Sequence, residues 1–81
     1  MTDKILVSTT CASAEEAQRL ARMLVEERLA ACVQIVPHVR SVYRWRGAVE
    51  ESEEWLLLIK SRRDLFENMQ RRLRAAHSYE L

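Results

Sequence analysis

The 81-residue sequence predicts an α+β fold in the order strand, helix, strand, strand, helix. Three observations carry this. A β-branched run, Lys4 to Thr10, is followed at once by a helix-start signal at Ser13–Glu16. A long hairpin turns at Gly47, the only glycine. The apolar run Trp55–Ile59 then precedes a second segment of helical periodicity.

Lys4–Thr10 reads as the first strand because Ile5, Val7, Thr9 and Thr10 favour extended backbone. Ser13-Ala-Glu-Glu16 is a capping box: the serine oxygen accepts from the third helical amide, and Glu16 reaches back. Ala17, Leu20, Ala21 and Leu24 recur at helical spacing, so the first helix runs to about Arg28. Cys32–Val36 returns to strand, and Pro37, which lacks a ladder donor, marks an edge or a bulge. Val39–Trp45 continues the strand. Trp55–Lys60 predicts a central strand covered on both faces, with the first and second strands on either side of it. Ser61–Asp64 opens the second helix, whose apolar stripe is Leu65, Met69, Leu73 and Ala76 with Phe66 beside it. With one further strand this order is the ferredoxin-like unit. The expectation is therefore one ferredoxin-like domain over residues 1–81, an antiparallel sheet with two helices on one face and the final strand absent.

Between the second and third strands, Tyr43 and Trp45 alternate with Arg44 and Arg46 just before Gly47. Alternation puts the aromatics on one strand face and the arginines on the other. Glu50, Glu51, Glu53 and Glu54 follow, giving a hairpin basic on one arm and acidic on the other. Its length and aromatic content predict an assembly device, since aromatics are enriched where subunits meet. A small chain with an open sheet edge also needs a cover.

Composition narrows the function classes. A net charge of +1 gives no argument for nucleic acid or an anionic membrane. No segment reaches the roughly 18 apolar residues of a membrane span. Two cysteines make no disulfide scaffold, which predicts a reducing, cytoplasmic setting. With one glycine there is no phosphate-cradling loop, and neither a Gly-x-Ser-x-Gly elbow nor a Cys-x-x-Cys pair occurs, so no enzyme is expected. An RNA-binding domain of this order needs aromatics on its central strands, and Lys4–Thr10 has none.

Glu27–Val33 with its Ala-Ala-Cys32, then Tyr43-x-Trp45-x-Gly47, then Glu54-x-x-Leu57-x-x-Lys60, then His77-Ser-Tyr79-Glu80 together resemble the CutA family of divalent cation tolerance proteins. The resemblance implies a ferredoxin-like fold and a tight homotrimer in which long hairpin strands reach neighbouring subunits, with Tyr43 and Trp45 at the interface. It also implies a role in metal-ion tolerance, with copper bound by some members and no settled enzymatic activity. Trp45, Lys60, Tyr79 and Glu80 match residues near the family's subunit-boundary pocket, where an aromatic wall, a cation and a carboxylate suit a small polar ligand. The alternative function is accordingly a trimeric small-molecule sensor. Two departures stand out. The family continues after the His-x-Tyr-Glu motif into a Pro-Glu-Ile segment whose glutamate is a copper ligand, and Leu81 ends this chain first. The family's first-strand cysteine position holds Thr9, with Cys11 two places later.

The candidate metal ligands are therefore Cys11 and His77. Cys11, beside a helix start, is expected to have a lowered thiol pKa, or to be a plain loop residue. His77 closes the second helix, where it either complements the macrodipole or ligates metal. Helices antiparallel to their strands bring the two to one side of the molecule. No cofactor is required, and weak binding of copper or another divalent cation is the expectation. Cys32 is expected to be a buried small hydrophobe, and His38 an exposed or interface residue. The Glu50–Glu54 run is expected at a solvated tip, pairing across the hairpin with Arg40, Arg44 and Arg46.

Overall fold

The structure, a computed structural model, describes residues 2–77. Strand β1 spans Lys4–Cys11, helix α1 Ala14–Glu26, strand β2 Cys32–Trp45 and strand β3 Ala48–Arg62. A 3₁₀ turn, Arg63–Leu65, leads into helix α2, Phe66–Ala76. The sheet order is β1-β3-β2, and both outer strands run antiparallel to β3. This is the expected order, with the apolar run in the middle. Tyr79 and Glu80 lie outside the described residues.

Strand parity decides which side chains meet the helices. Val7 and Val33 face Ile59 in register, and Thr9 and Ile35 face Leu57. Leu57 and Ile59 are fully buried there with Leu20 and Leu24 of α1 and Met69 and Leu73 of α2. Burying each such side chain stabilises the fold by roughly 1.5–3 kcal/mol. Among the described residues, no helix covers the opposite face. Leu56 and Leu58 are half-buried and Leu6 is 63% exposed. The expectation that the central strand is covered on both faces thus holds for one face only, because both helices pack on the same side.

Ser13 caps α1 as expected, accepting from Glu16 N at 3.2 Å. Glu16 reaches back one residue further than the usual box, accepting from Ala12 N at 3.4 Å. The helix ends at Glu26, before the expected Arg28. Arg28 flips to φ 59°, with Leu29 N donating to Leu24 O and Arg28 N to Val25 O. That is a Schellman-type stop, with arginine where glycine is usual. Leu29 and Ala30 then turn into the core, and Ser61 Oγ donates to Leu29 O at 2.6 Å, satisfying a buried carbonyl. Ser61–Asp64 does not open the second helix directly. β3 continues through Arg62, and Arg63 N donates to Asp3 O before α2 begins. The two helices are bridged on the surface by Arg72, whose Nε and a terminal nitrogen each donate to Glu27 at 2.8 Å. Those hydrogen bonds hold the Glu27 carboxyl below its usual range.

The hairpin is long because β2 and β3 stay in register to Trp45↔Ala48. Arg46 and Gly47 both have positive φ, 51° and 82°, the type I′ geometry that matches strand twist. Pro37 and His38 form a bulge between the Val36↔Leu56 and Val39↔Glu54 pairs. Two residues there oppose one, Trp55, and His38 takes φ 58°.

Candidate metal centre

Cys11 is the last residue of β1, in register with Trp55. Odd positions of β1 face the helices, so its thiol is fully buried rather than in a loop. Glu16 sits in the first turn of α1, turned back over the strand end by the capping geometry, and is 9% exposed. His77 follows α2 directly and is 8% exposed. Its amide donates to Leu73 O at 2.8 Å, which holds the chain as it leaves the helix. Three elements thus converge at one end of the sheet, and both helices run antiparallel to the strands they follow.

Cys11 Sγ and His77 Nε2 lie 4.0 Å apart. With a carboxylate oxygen of Glu16 they form a cluster whose donor atoms all lie within 4.8 Å of one another. His77 Nε2 also lies 2.6 Å from Thr10 O. A carbonyl only accepts, so Nε2 carries the proton and donates there. A cation taking Nε2 requires the other tautomer. Glu16 also lies 3.7 Å from Arg19 and accepts from Ala12 N at 3.4 Å. Both are longer than the roughly 2.7–2.9 Å of a strong charge-assisted bond. Sulfur, imidazole nitrogen and carboxylate oxygen are the donors that zinc and copper take from proteins, so these residues fit a thiophilic or borderline cation.

The thiol departs from the expectation of a lowered pKa. Burial, then the charge of Glu16, push Cys11 up to about 11, with Glu54 adding to the rise and Arg19 opposing it. Desolvation outweighs the helix N-terminus because the sulfur points into the core. Raising the pKa from 9.0 to about 11 lowers the thiolate fraction at neutral pH about 100-fold. In a Cys32→Ser variant, the remaining thiol should react with a disulfide reagent about 100-fold more slowly than an ordinary thiol, burial slowing it further. The rate should climb about tenfold per pH unit up to pH ~10. A pH 7.5 rate matching that of an unfolded control would contradict this thiol environment.

The other candidates are distributed differently. Cys32 is exposed, against the expectation of burial, because it pairs with Lys60 on the helix-free face. The two cysteines are free thiols on opposite faces of the sheet. His38 is exposed, its Nδ1 2.9 Å from Glu53 and its ring 5.7 Å from that of Trp55. The cross-hairpin carboxylate contact is thus with this histidine, and Arg44 faces Val49 in register. Tyr43 and Trp45 are 44% and 58% exposed at the hairpin end, with Arg46 stacked 5.4 Å over Trp45. Trp45 pairs with Ala48 and Lys60 with Leu6, at opposite ends of β3. One chain therefore does not bring Trp45 and Lys60 into a common pocket. Lys60 instead lines an open groove of about 1080 Å³ with Lys4, Arg28 and Arg62 over Ile5 and Leu65. Sequence reasoning missed Glu16 as a member of this cluster. The capping box that turns its carboxylate back toward residue 12 was the available signal.

Comparison with known proteins bears on this arrangement. The sequence profile described as CutA1 divalent ion tolerance protein matches residues 5–81. The divalent-cation tolerance protein CutA of Thermus thermophilus is 49% identical over 74 residues, covering 91% of this chain and 72% of that protein. The chloroplastic CutA of Arabidopsis thaliana is 43% identical over 77 residues, covering 95% of this chain but 42% of that protein. The chain thus spans about three quarters of the bacterial relative and under half of the plant one. Among solved structures, the Thermus thermophilus protein superposes with a TM-score of 0.93 at 46% identity, covering 96% of this chain and 76% of its own. CutA from Xylella fastidiosa gives 0.95 at 41% identity, covering 99% and 77%. The Archaeoglobus fulgidus protein, described as periplasmic, gives 0.90 at 37% identity, covering 94% and 74%.

Proposed function

Since the chain belongs to the CutA1 divalent ion tolerance family, we propose that it serves metal-ion tolerance as a homotrimer that captures thiophilic cations, copper among them, at Cys11 and His77. The observation that carries this reading is the 4.0 Å approach of Sγ to Nε2 between residues far apart in sequence. A trimer is supported by what one chain leaves open. Leu6, Val42, Trp45 and Val49 are well exposed, and the helix-free sheet face carries Leu56 and Leu58. Exposed apolar side chains in such number are typical of interfaces. The role is binding rather than catalysis, and two free thiols suit a reducing cytoplasm. No described helix is long and apolar enough to cross a membrane.

A direct test measures Cu(I) affinity by chelator competition on the reduced protein, alongside its mass by light scattering. Cys11→Ser with His77→Ala should weaken binding by at least about 10–100-fold, the loss typical of disturbing even a supporting residue. Unchanged affinity in the double variant would reject the site. A second reading, a small-ligand sensor, is favoured by the groove at Lys60, lined among the described residues by the four cations Lys4, Arg28, Lys60 and Arg62 and by no carboxylate. An anionic small molecule retained in native mass spectra, and lost in Lys60→Ala, would support it over cation capture.

A further inference from the structure

We propose that Glu16 completes a three-donor site with Cys11 and His77 for a borderline divalent cation of the zinc class, and that its carboxylate selects such a cation over monovalent copper. This rests on the cation-capture reading of Cys11 and His77. What is new is the third donor and the preference it confers.

The geometry supplies the first support. Tetrahedral bonds of about 2.0–2.3 Å place ligand atoms roughly 3.3–3.8 Å apart. The Cys11, Glu16 and His77 donors already lie within 4.8 Å of one another. Closing that gap needs about an ångström of side-chain movement. Glu16 brings its carboxylate to this end of the sheet through the cap of α1, where it lies 3.4 Å from Ala12 N and 3.7 Å from Arg19. His77 can make that movement by exchanging its bond to Thr10 O for the metal. Three protein ligands then leave a fourth position for water or another ligand.

Electrostatics supply the second. Two largely buried carboxylates, Glu16 and Glu54, the latter next to Trp55 that pairs with Cys11, sit at this end of the sheet, with Arg19 3.7 Å from Glu16. The end of the sheet is thus poised to gain from a positive ion. A divalent ion gains more there than a monovalent one, because charge interactions scale with the charge of each partner. Donor chemistry points the same way. Cu(I) is satisfied by thiolate and imidazole, and a hard carboxylate oxygen adds little to it, whereas Zn(II) takes all three donor types.

Glu16→Gln isolates the carboxylate. Glutamine also serves as the third residue of a capping box, so helix α1 keeps its start while the anionic donor is lost. Zn(II) and Cu(I) affinities are measured by chelator competition on the reduced full chain, with Co(II) as a spectroscopic probe for thiolate-to-metal charge transfer. Glu16→Gln should weaken Zn(II) by at least about 10-fold and leave Cu(I) within about 3-fold. A Zn(II) affinity unchanged in Glu16→Gln, or an equal loss for both metals, overturns the inference. If Cys11→Ser still abolishes the Co(II) charge-transfer band in that case, the two-ligand reading survives. If Cys11→Ser and His77→Ala leave Zn(II) and Cu(I) binding intact, that reading fails as well. Circular dichroism confirms the fold of each variant. Should Glu16→Gln not fold, Glu16→Ala, which also removes the anionic donor while Ser13 still accepts from the residue 16 amide, carries the same expectation.

Discussion

Leu57→Ala should lower the stability of the folded chain by about 3–5 kcal/mol, near the top of the range for a buried leucine truncation. Leu57 is fully buried in the central strand, in register with Thr9 on one side and Ile35 on the other. Both neighbouring strands hold the backbone around it, so the site collapses poorly and the cavity term is large. Urea unfolding at matched protein concentration reads the effect as a lower midpoint with an unchanged slope. A change under about 0.5 kcal/mol, the scale of an inert surface substitution, would contradict the core assignment. Leu58→Ala on the neighbouring position gives a control with its own meaning. In an isolated chain Leu58 is only half-buried, so a small effect is expected. A loss comparable to that of Leu57→Ala means that another copy covers the helix-free face.

Trp45→Ala should shift the proposed trimer toward smaller species. Trp45 stands at the hairpin end with Val42, Tyr43 and Val49 exposed nearby. Little within its own chain accounts for this much apolar surface, the stacked Arg46 apart. Tryptophans at the centre of an interface typically cost about 2 kcal/mol or more on truncation, roughly 30-fold in the association constant. Light scattering across a dilution series detects that change. A stable, well-folded monomer of the unmutated chain would overturn the assembly proposal. Trp45→Phe should retain most of the association, since the loss is one of buried aromatic area rather than of a hydrogen bond.

Most of the fold was legible because local rules and tertiary packing agree. The continuous run Trp55–Ile59 marks the central strand, and the structure places it between β1 and β2. Ser13 and Glu16 mark the start of α1, and Gly47 the hairpin turn. Errors fall where a hydrogen bond made by neighbouring backbone or by a distant residue overrides the signal of residue type. Arg28 adopts a left-handed conformation that its residue type disfavours. The hydrogen bonds of Leu29 and Ala30 back to Leu24 hold it there. Ser61 looked like a helix start. It is instead a strand residue bonded to Leu29 O across the core edge, so the helix begins later.

The sequence by itself determined the element order, the N-cap of α1, the hairpin and the aliphatic part of the core, because each depends on periodicity or on neighbours within a few residues. Tertiary structure alone decided the chemistry of the site. A helix start beside Cys11 argues for an easily ionised thiol, yet the thiol is pushed up to about 11. The reason is its place on the inward parity of β1, under the carboxylates of Glu16 and Glu54. His77 reaches it across 66 residues of sequence because α2 returns antiparallel to β3 and ends above the close of β1. Cys32 has the same side chain and sits at the start of a strand, but the pleat turns it to the helix-free face and it is exposed. Parity of one residue and the return path of one helix separate the buried ligand candidate from the exposed thiol, and neither is written in local sequence.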